Sequence, residues 1–251
     1  MLFRVCYLMN RYYYDLHVHS CLSPCGDNDM TPYNIANMAA LAGLNIVALT
    51  DHNTAKNCPA FFKAARAAGI IPVAGMELTT CEEIHLVCLF EHIEDAMLFD
   101  SELDKYRSRI PNNTQIFGEQ LVMDEGDEVI GYVPNLLPPA TALSLDDAVA
   151  LVEKFGGVCH PAHIDRESNG IIAMLGTLPE TPAFSRVEFN DPNNIEGYKK
   201  LYPMIEKMQI ISCSDAHYLW DIRDKDAYFE LDDEPYSSDL VRRRLFERLR
   251  G

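Results

Sequence analysis

The sequence predicts an α/β fold, with a parallel sheet closed into a barrel. Short apolar segments alternate with segments of helical composition, and proline and glycine stand where the helices are expected to begin and end. A chain of 251 residues, 48% of them apolar, is an ordinary size for one α/β barrel and can bury a sizeable core. We therefore expect residues 1–251 to form a single domain.

The first half of the chain follows this alternation closely. Residues 13–15 lead into a strand that ends in His17-Val18-His19. A helix is expected next, because Pro32 suits its first turn and Gly43 is positioned to stop it. The following predicted elements are a strand over 45–50, a helix over 59–68, a strand over 70–74, a hairpin return over 84–90 and a helix over 93–109.

Residues 110–143 interrupt the alternation with turn-rich segments, and we interpret them as an insertion that covers the site. Ser144 followed by Asp147 is typical of a capped helix start. A surface helix with an apolar stripe at Leu240, Leu245 and Leu249 is expected at the end of the chain. The elements predicted after the insertion are a helix over 145–155, strands over 158–159, 186–189 and 210–213, a helix over 195–208 and a final helix over 237–249.

Composition narrows the function classes. The formal net charge of −17 repels phosphate backbones and anionic membranes, which argues against nucleic-acid and membrane partners. No apolar run reaches the roughly 18 residues that a membrane span needs. Several of the eight cysteines lie in apolar runs, and no CxxC pair is present, so a reducing cytoplasm is expected.

Histidines and carboxylates gather at the ends of predicted strands. Asp15, His17 and His19 alternate along one strand and so share a face, which makes the histidine pair the nucleus of a metal site. Asp15 is expected to orient a ligand from behind. Asp51 and His52 follow the next apolar strand, at the strand end where barrels carry their chemistry.

Three further clusters repeat this placement. Glu77 follows the strand over 70–74, and a carboxylate at such a position can bridge two metal ions. Packing alone does not explain so many polar strand ends, since unpaired buried polar groups are costly. His85 opens its strand instead, so metal ligation and a structural role both remain open for it. The other clusters are Cys159-His160-Pro161-Ala162-His163 and Ser214-Asp215-Ala216-His217.

In their order, the motifs DLHVHS, TDHN, GMELTT, CHPAH and SDAH resemble the polymerase-and-histidinol-phosphatase (PHP) superfamily. The resemblance runs from Asp15 to His217. It implies a distorted (β/α)7 barrel with a trinuclear metal site. By analogy, the first metal takes His17, His19, Glu77 and Asp215, the second takes Glu77, His85 and His160, and the third takes His52, His217 and one more ligand.

That last ligand is where the sequence departs from the family pattern. Relatives often supply a histidine or aspartate shortly after the paired histidines, and the matching stretch here is CLSPCGDND. Cys25 and Asp27 are the two candidates. A thiolate favours zinc, whereas a carboxylate suits manganese or iron.

The resemblance implies a hydrolase that acts on a small phosphorylated metabolite, such as a nucleotide or histidinol phosphate, with two or three zinc, manganese or iron ions. Arg166 and His163 are candidates to hold a phosphate oxygen, and His217 or Asp51 to relay a proton. Three alternatives stay open: a nuclease, a C–N hydrolase with a similar metal site, and a non-catalytic metal-binding module.

Overall fold

Six strands form one curled sheet in the computed structural model, which describes residues 9–251. Strands β1, β2 and β3 pair in parallel, and β4 returns antiparallel to β3 as the predicted hairpin. The strand order is β10-β1-β2-β3-β4-β7. The strands are β1 (Asn10–Val18), β2 (Ile46–Leu49), β3 (Ile71–Thr79), β4 (His85–Phe90), β5 (Leu121–Met123), β6 (Val129–Tyr132), β7 (Val158–Pro161), β8 (Arg186–Phe189), β9 (Gln209–Ser212) and β10 (Tyr228–Leu231).

A separate parallel pair, β8 and β9, lies between β7 and β1. On one side, the backbone N–H of Ile164 donates to the carbonyl oxygen of Glu188 at 2.9 Å. On the other side, Val18 and Ala216 form an isolated parallel bridge. The predicted α/β class is confirmed, and the sheet is curled like a half-barrel with its ladder interrupted on both sides of this pair.

The helices lie near their predicted positions, with two differences. The helix over 93–109 ends at Leu103, and the helix over 195–208 ends at Leu201, since Pro203 lacks the N–H that would continue it and starts a 3₁₀ turn. No helix within residues 9–251 is long and apolar enough to cross a bilayer. The helices are α1 (Pro32–Leu41), α2 (Cys58–Ala67), α3 (Ile93–Leu103), α4 (Thr114–Phe117), α5 (Leu145–Lys154), α6 (Ile171–Leu175), α7 (Ile195–Leu201) and α8 (Ser238–Arg250).

The C-terminal helix α8 is a plug rather than the surface helix that the sequence predicted. Its Val241, Leu245, Phe246 and Leu249 are buried with inward-facing residues of β1, β2, β3 and β7. The expected stripe included Leu240, which is only half-buried. The helix therefore packs apolar side chains against the amino-terminal end of the strands. The histidines and carboxylates lie at the carboxyl end.

Asp100 of α3 is a buried carboxylate that ties this helix to the loop after β2. It accepts hydrogen bonds from Thr54 Oγ1 at 2.7 Å and from the Ala55 backbone N–H at 2.8 Å. It also pairs with Arg107 at 2.6 Å and with Lys56 at 3.2 Å. Burial disfavours its ionisation, but the two cations outweigh burial and hold the pKa of Asp100 below its ordinary value.

The predicted insertion, residues 110–143, contains α4 and the β5–β6 hairpin and is anchored beside the ends of β1 and β2. The Asn57 side chain donates to the carbonyl of Leu121 at 3.1 Å and accepts from the backbone N–H of Met123 at 2.9 Å. Asn53 donates to the carbonyl of Leu137 at 2.7 Å. The insertion is thus fixed next to the strand ends that carry the histidines.

Candidate metal centre

Strand ends from around the sheet bring their polar side chains to one place. Three residues of this place have left-handed backbone although they are not glycine: Asn53 (φ 51°), His163 (φ 25°) and Asp215 (φ 53°). Such conformations are costly and are typical of functional sites, where the surrounding structure enforces them. The side chains that meet here are His17, His19, His52, Glu77, His85, His163, Asp215 and His217.

Glu77, at 1% exposure, lies at the middle of the cluster. Its Oε1 is 2.7 Å from His85 Nδ1, 3.0 Å from His163 Nε2 and 3.3 Å from His17 Nε2. Its Oε2 is 3.0 Å from His52 Nδ1. The two oxygens of one carboxylate thus face different imidazoles, which is the geometry of a bridging ligand.

Asp215 is the second carboxylate of the cluster. Its Oδ1 is 3.1 Å from His19 Nε2, 3.3 Å from His17 Nε2 and 3.7 Å from His217 Nδ1. That oxygen is buried and makes no hydrogen bond of good geometry. The other oxygen, Oδ2, pairs with Arg166 at 2.6 Å.

The ligand atoms fall into three sets, in each of which all atoms lie within 4.8 Å of one another. Two ligands at right angles around one ion with bonds of about 2.1 Å are separated by about 3.0 Å. The distances from the oxygens of Glu77 and Asp215 to the nearest imidazole nitrogens, 2.7–3.3 Å, are close to that value. The sets are His17-His19-Glu77-Asp215, His52-Glu77-His85 and His19-His52-His217.

This donor set fits divalent metal ions. Imidazole nitrogen with carboxylate oxygen suits zinc, manganese and iron. Two buried atoms of the cluster, Asp215 Oδ1 and His163 Nδ1, have no hydrogen-bond partner among the described residues. Buried polar atoms normally have a partner. The first set has the same four residues that the family resemblance assigns to the first metal.

His160 and His163 are placed differently from the expected arrangement. His160 lies within β7, belongs to none of the three sets found among residues 9–251, and has its Nε2 3.6 Å from Glu188 Oε2. His163 lies in the turn after the strand, where its ring reaches Glu77. The Pro161-Ala162 step separates the two histidines, and only the one beyond the strand end points into the cluster.

Cys25 and Asp27 also differ in position. The Cys25 side chain interacts with His52 and raises its pKa, but it belongs to none of the three ligand sets found among residues 9–251. The Asp27 carboxylate accepts from the backbone N–H of Asp29 at 2.8 Å, and the Asp27 N–H donates to the carbonyl of His217 at 2.9 Å. Cys25 thus lies next to a ligand set, whereas Asp27 supports the loop through its backbone.

Glu188, which the sequence analysis missed, lies directly behind the ligands. It is fully buried, its Oε1 is 2.9 Å from His17 Nδ1, and it accepts from the His163 backbone N–H at 3.2 Å. A carboxylate on the second nitrogen of a ligating imidazole fixes its tautomer and ring orientation. The signal was a glutamate between Val187 and Phe189 in a segment predicted to be a strand.

Asp51 and Asp15 accept hydrogen bonds from the loops around the cluster and belong to none of its ligand sets among residues 9–251. Asp51 accepts from Ser20 Oγ at 2.7 Å and from Ser23 Oγ at 2.8 Å, and Ser23 Oγ lies 3.0 Å from His19 Nδ1. Asp15 Oδ1 accepts from the backbone N–H of Ser214 at 3.1 Å. Both carboxylates therefore stabilise the loops from which ligands project. His92, expected to stay outside the site, has a side chain that is 61% exposed.

The pKa values of the imidazoles are shifted in opposite directions. Burial disfavours protonation, but the carboxylates around His17, Glu188 first among them, outweigh burial and raise its pKa well above the ordinary value. The same competition raises the pKa of His19 and of His52 to about 9. Burial and the charge on His19 instead lower the pKa of His217 to about 3.

The carboxylates show the complementary effect. Burial alone disfavours the ionised form of Glu77, yet His85 and His17 hold its pKa well below the ordinary value. Asp215 is likewise buried, and His17 lowers its pKa. The centre therefore combines ionised carboxylates with protons that bound cations can replace.

The rim of the centre carries aromatic and apolar surface. Tyr218, next to His217, stacks on Trp220 with ring centroids 4.9 Å apart and 17° between the planes. Trp220 is 75% exposed. An apolar cavity of about 440 Å³ adjoins Cys25, with Phe117 of the insertion among its lining residues.

Residues 15–108 match the PHP domain. A 5'-3' exoribonuclease of Haemophilus influenzae is 37% identical over 135 residues, which cover 52% of this chain and 45% of that protein. The chain thus spans about half the length of this relative.

Two solved structures share the fold. A lesion-specific endonuclease of Pyrococcus furiosus matches with a TM-score of 0.65 and 16% identity, over 93% of this chain and 55% of that one. A protein of Bifidobacterium adolescentis, assigned as a metal-dependent phosphoesterase, matches with a TM-score of 0.56 and 18% identity, over 95% and 97% of the two chains. At these identities the likeness shows the distorted barrel fold alone.

Proposed function

Because residues 15–108 belong to the PHP domain family, whose members are metal-dependent hydrolases, we propose that this chain is a metal-dependent phosphoesterase. We propose phosphate monoesters of nucleotide size as its substrates. The observation that carries the proposal is the shared use of Glu77, whose two carboxylate oxygens face different imidazoles at 2.7–3.3 Å.

Two or three zinc, manganese or iron ions bound there would lower the pKa of a coordinated water, orient the phosphoryl group and offset charge on the leaving oxygen. We assign His17, His19, Glu77 and Asp215 to the first ion. The second takes Glu77 with His85, and we place His163 here in preference to His160. The third takes His52 and His217, with Cys25 as the favoured additional ligand over Asp27.

The chain's own residues complete the site in distinct ways. Glu188 and Ser23 hold the rings of His17 and His19 through their outer nitrogens. Arg166, 41% exposed and paired with Asp215, supplies a positive charge beside the centre in a chain of net charge −17. Its planar guanidinium suits two oxygens of a phosphate group.

The organic part of the substrate is best matched by a planar base. The stacked Tyr218–Trp220 pair follows the ligand His217 directly and presents an exposed aromatic face. Stacking of a base on an aromatic side chain is worth roughly 1–3 kcal/mol. This favours a nucleotide over histidinol phosphate.

An exonuclease is the second candidate, because the Haemophilus influenzae relative at 37% identity is a 5'-3' exoribonuclease. Its metal chemistry would be the same, and the aromatic pair would then hold the terminal base of a single strand. The net charge of −17 weighs against a long polynucleotide substrate, since a polyphosphate backbone is repelled more strongly than one phosphate.

Two broader features complete the proposal. We propose that residues 110–143 cover the substrate, since Asn53 and Asn57 anchor this insertion beside the ligands. We also propose a reducing cytoplasm as the location, because all seven cysteines of the described residues are free thiols.

The test is a substrate panel with the protein loaded separately with manganese and with zinc. It contains mononucleotides with 3'- or 5'-phosphate, histidinol phosphate, and a 5'-labelled single-stranded oligoribonucleotide. We expect phosphate release from a mononucleotide, and its loss in Glu77→Gln. Faster shortening of the oligonucleotide would replace the monoesterase proposal by the exonuclease. Turnover of none of these substrates, with the metals bound, would overturn both.

A further inference from the structure

A cavity with polar lining lies at the amino-terminal ends of β7 and β8, away from the ligand-bearing strand ends. Its volume is about 580 Å³, and it opens between the end of α5 and the starts of these two strands. The residues that define it are Val149, Glu153, Cys159, Phe184, Arg186 and Arg250.

Arg186, only 6% exposed, lines this cavity without a carboxylate partner. Its single hydrogen bond runs from Nη1 to the carbonyl oxygen of Cys159 at 3.3 Å, and its buried Nε has no partner. Within residues 9–251 no aspartate or glutamate forms an ion pair with it. Buried arginines are normally paired, and Arg186 is unpaired within the described residues of a chain with 38 acidic residues.

A second arginine and one carboxylate also border the cavity. Arg250 of α8 reaches the same space, held by Glu91 at 3.0 Å and by the carbonyl of Gly156 at 3.3 Å. Glu153 is the carboxylate in the lining and makes no ion pair with Arg186. Burial lowers the pKa of Arg186, as expected for a guanidinium whose charge is not balanced locally.

We propose that this cavity binds a small organic anion, whose carboxylate or phosphate group is held by the Arg186 guanidinium. A guanidinium presents parallel N–H donors that match two oxygens of either group. The apolar side chains of Val149 and Phe184 suit the remainder of such a ligand. The site is separate from the metal centre, and the proposal does not depend on the function proposed above.

Occupancy of this cavity is expected to influence the metal centre through one strand. Arg186 lies two residues before Glu188, whose carboxylate is 2.9 Å from His17 Nδ1. Cys159, the hydrogen-bond acceptor of Arg186, directly precedes His160, which lies 3.6 Å from Glu188. An anion that binds the Arg186 guanidinium therefore contacts strand β8, whose Glu188 orients the ring of His17.

The test is calorimetric titration of the metal-loaded protein with acetate and, separately, with inorganic phosphate. Arg186→Met should raise the Kd of the anion that binds in the cavity by at least about tenfold, as expected for the loss of charge-assisted hydrogen bonds. Lys154→Met removes the same charge from the exposed end of α5 and should bind like the wild type. Glu153→Gln should bind more tightly, and this variant keeps the test informative if Arg186→Met folds poorly.

The arms of the experiment separate the ligand classes and the two sites. Binding of phosphate at the metal centre persists in Arg186→Met, whereas binding in the cavity is lost. Acetate binding that depends on Arg186 indicates a carboxylate ligand, and phosphate binding that depends on it indicates a phosphate ligand. Equal binding of both anions by wild type and Arg186→Met would overturn the proposal, as would a crystal structure with Glu153 paired to Arg186.

Discussion

The replacement of Glu188 by glutamine tests whether a buried residue behind the ligands controls metal loading. Glu188 is fully buried, is 2.9 Å from His17 Nδ1 and accepts from the His163 backbone N–H at 3.2 Å. Glutamine keeps the shape and one acceptor oxygen but removes the negative charge. Both contacts then become neutral hydrogen bonds while the size of the side chain is preserved.

The magnitude follows from the contact to His17. A hydrogen bond to a charged group contributes about 1.5–3 kcal/mol and a neutral one about 1 kcal/mol, so the change costs roughly 0.5–2 kcal/mol in the orientation of His17. That corresponds to roughly a 2- to 30-fold weaker metal affinity. It lies close to the range of about 10–100-fold that is typical of residues behind metal ligands.

The assay is metal content at buffered free zinc or manganese, measured together with kcat/KM for a mononucleotide. Glu196→Gln is the matched control, because that side chain is 77% exposed and its ion pair within residues 9–251 is with Lys199. We expect Glu188→Gln to need more free metal for half-loading while the control behaves as wild type. Wild-type metal affinity and kcat/KM in Glu188→Gln would refute the role assigned to this carboxylate.

Four further predictions follow from the same geometry. His163→Ala should lower kcat/KM by more than about 100-fold, the upper limit typical of residues behind the ligands, whereas His160→Ala should lose less activity than that; equal losses in kinetic assays would contradict the assignment of His163. Cys25→Ser should reduce the number of bound zinc ions by elemental analysis, and an unchanged count would leave the third site to solvent or Asp27. Trp220→Ala should raise KM for a nucleotide roughly tenfold with kcat nearly unchanged, and an unchanged KM would exclude stacking on this pair. Asp100→Asn should cost about 3 kcal/mol in the free energy of unfolding at neutral pH, measured by urea unfolding. Because folding lowers the pKa of Asp100, its stabilising contribution is complete above the pKa of the unfolded state and is lost as the pH falls through the pKa of the folded state. A destabilisation that does not shrink in acid would contradict this role.

The sequence was most informative where local pattern determines position. His17 and His19 alternate along β1, and His52 follows the buried strand β2, so their convergence at one sheet edge could be anticipated from strand geometry. Glu77 is central for the same reason, because β3 neighbours β2 in parallel. The hairpin from β3 to β4 brings His85 Nδ1 to 2.7 Å from Glu77 Oε1, which favours the ligand role that the sequence left open.

What the sequence could not supply depends on tertiary contacts. Whether His160 or His163 reaches Glu77 is decided by where β7 ends and by the left-handed backbone at His163. Glu188 is distant in sequence from His17, and its role emerges only when β8 packs between β7 and β9 and its side chain reaches His17 of β1. The plug formed by α8 was missed because an apolar stripe on a charged helix does not reveal which surface it covers.

The most direct test of the central claim is metal reconstitution followed in one sample by metal counting and phosphate release. Protein stripped with a chelator is titrated with manganese or zinc, and wild type is compared with Glu77→Gln and with the control Glu196→Gln. We expect two or three ions per wild-type chain, with phosphate release from a mononucleotide rising as they bind. We expect fewer ions and no release for Glu77→Gln. Phosphate release that persists in the stripped protein, or a Glu77→Gln variant with full metal content and full activity, would contradict the central claim.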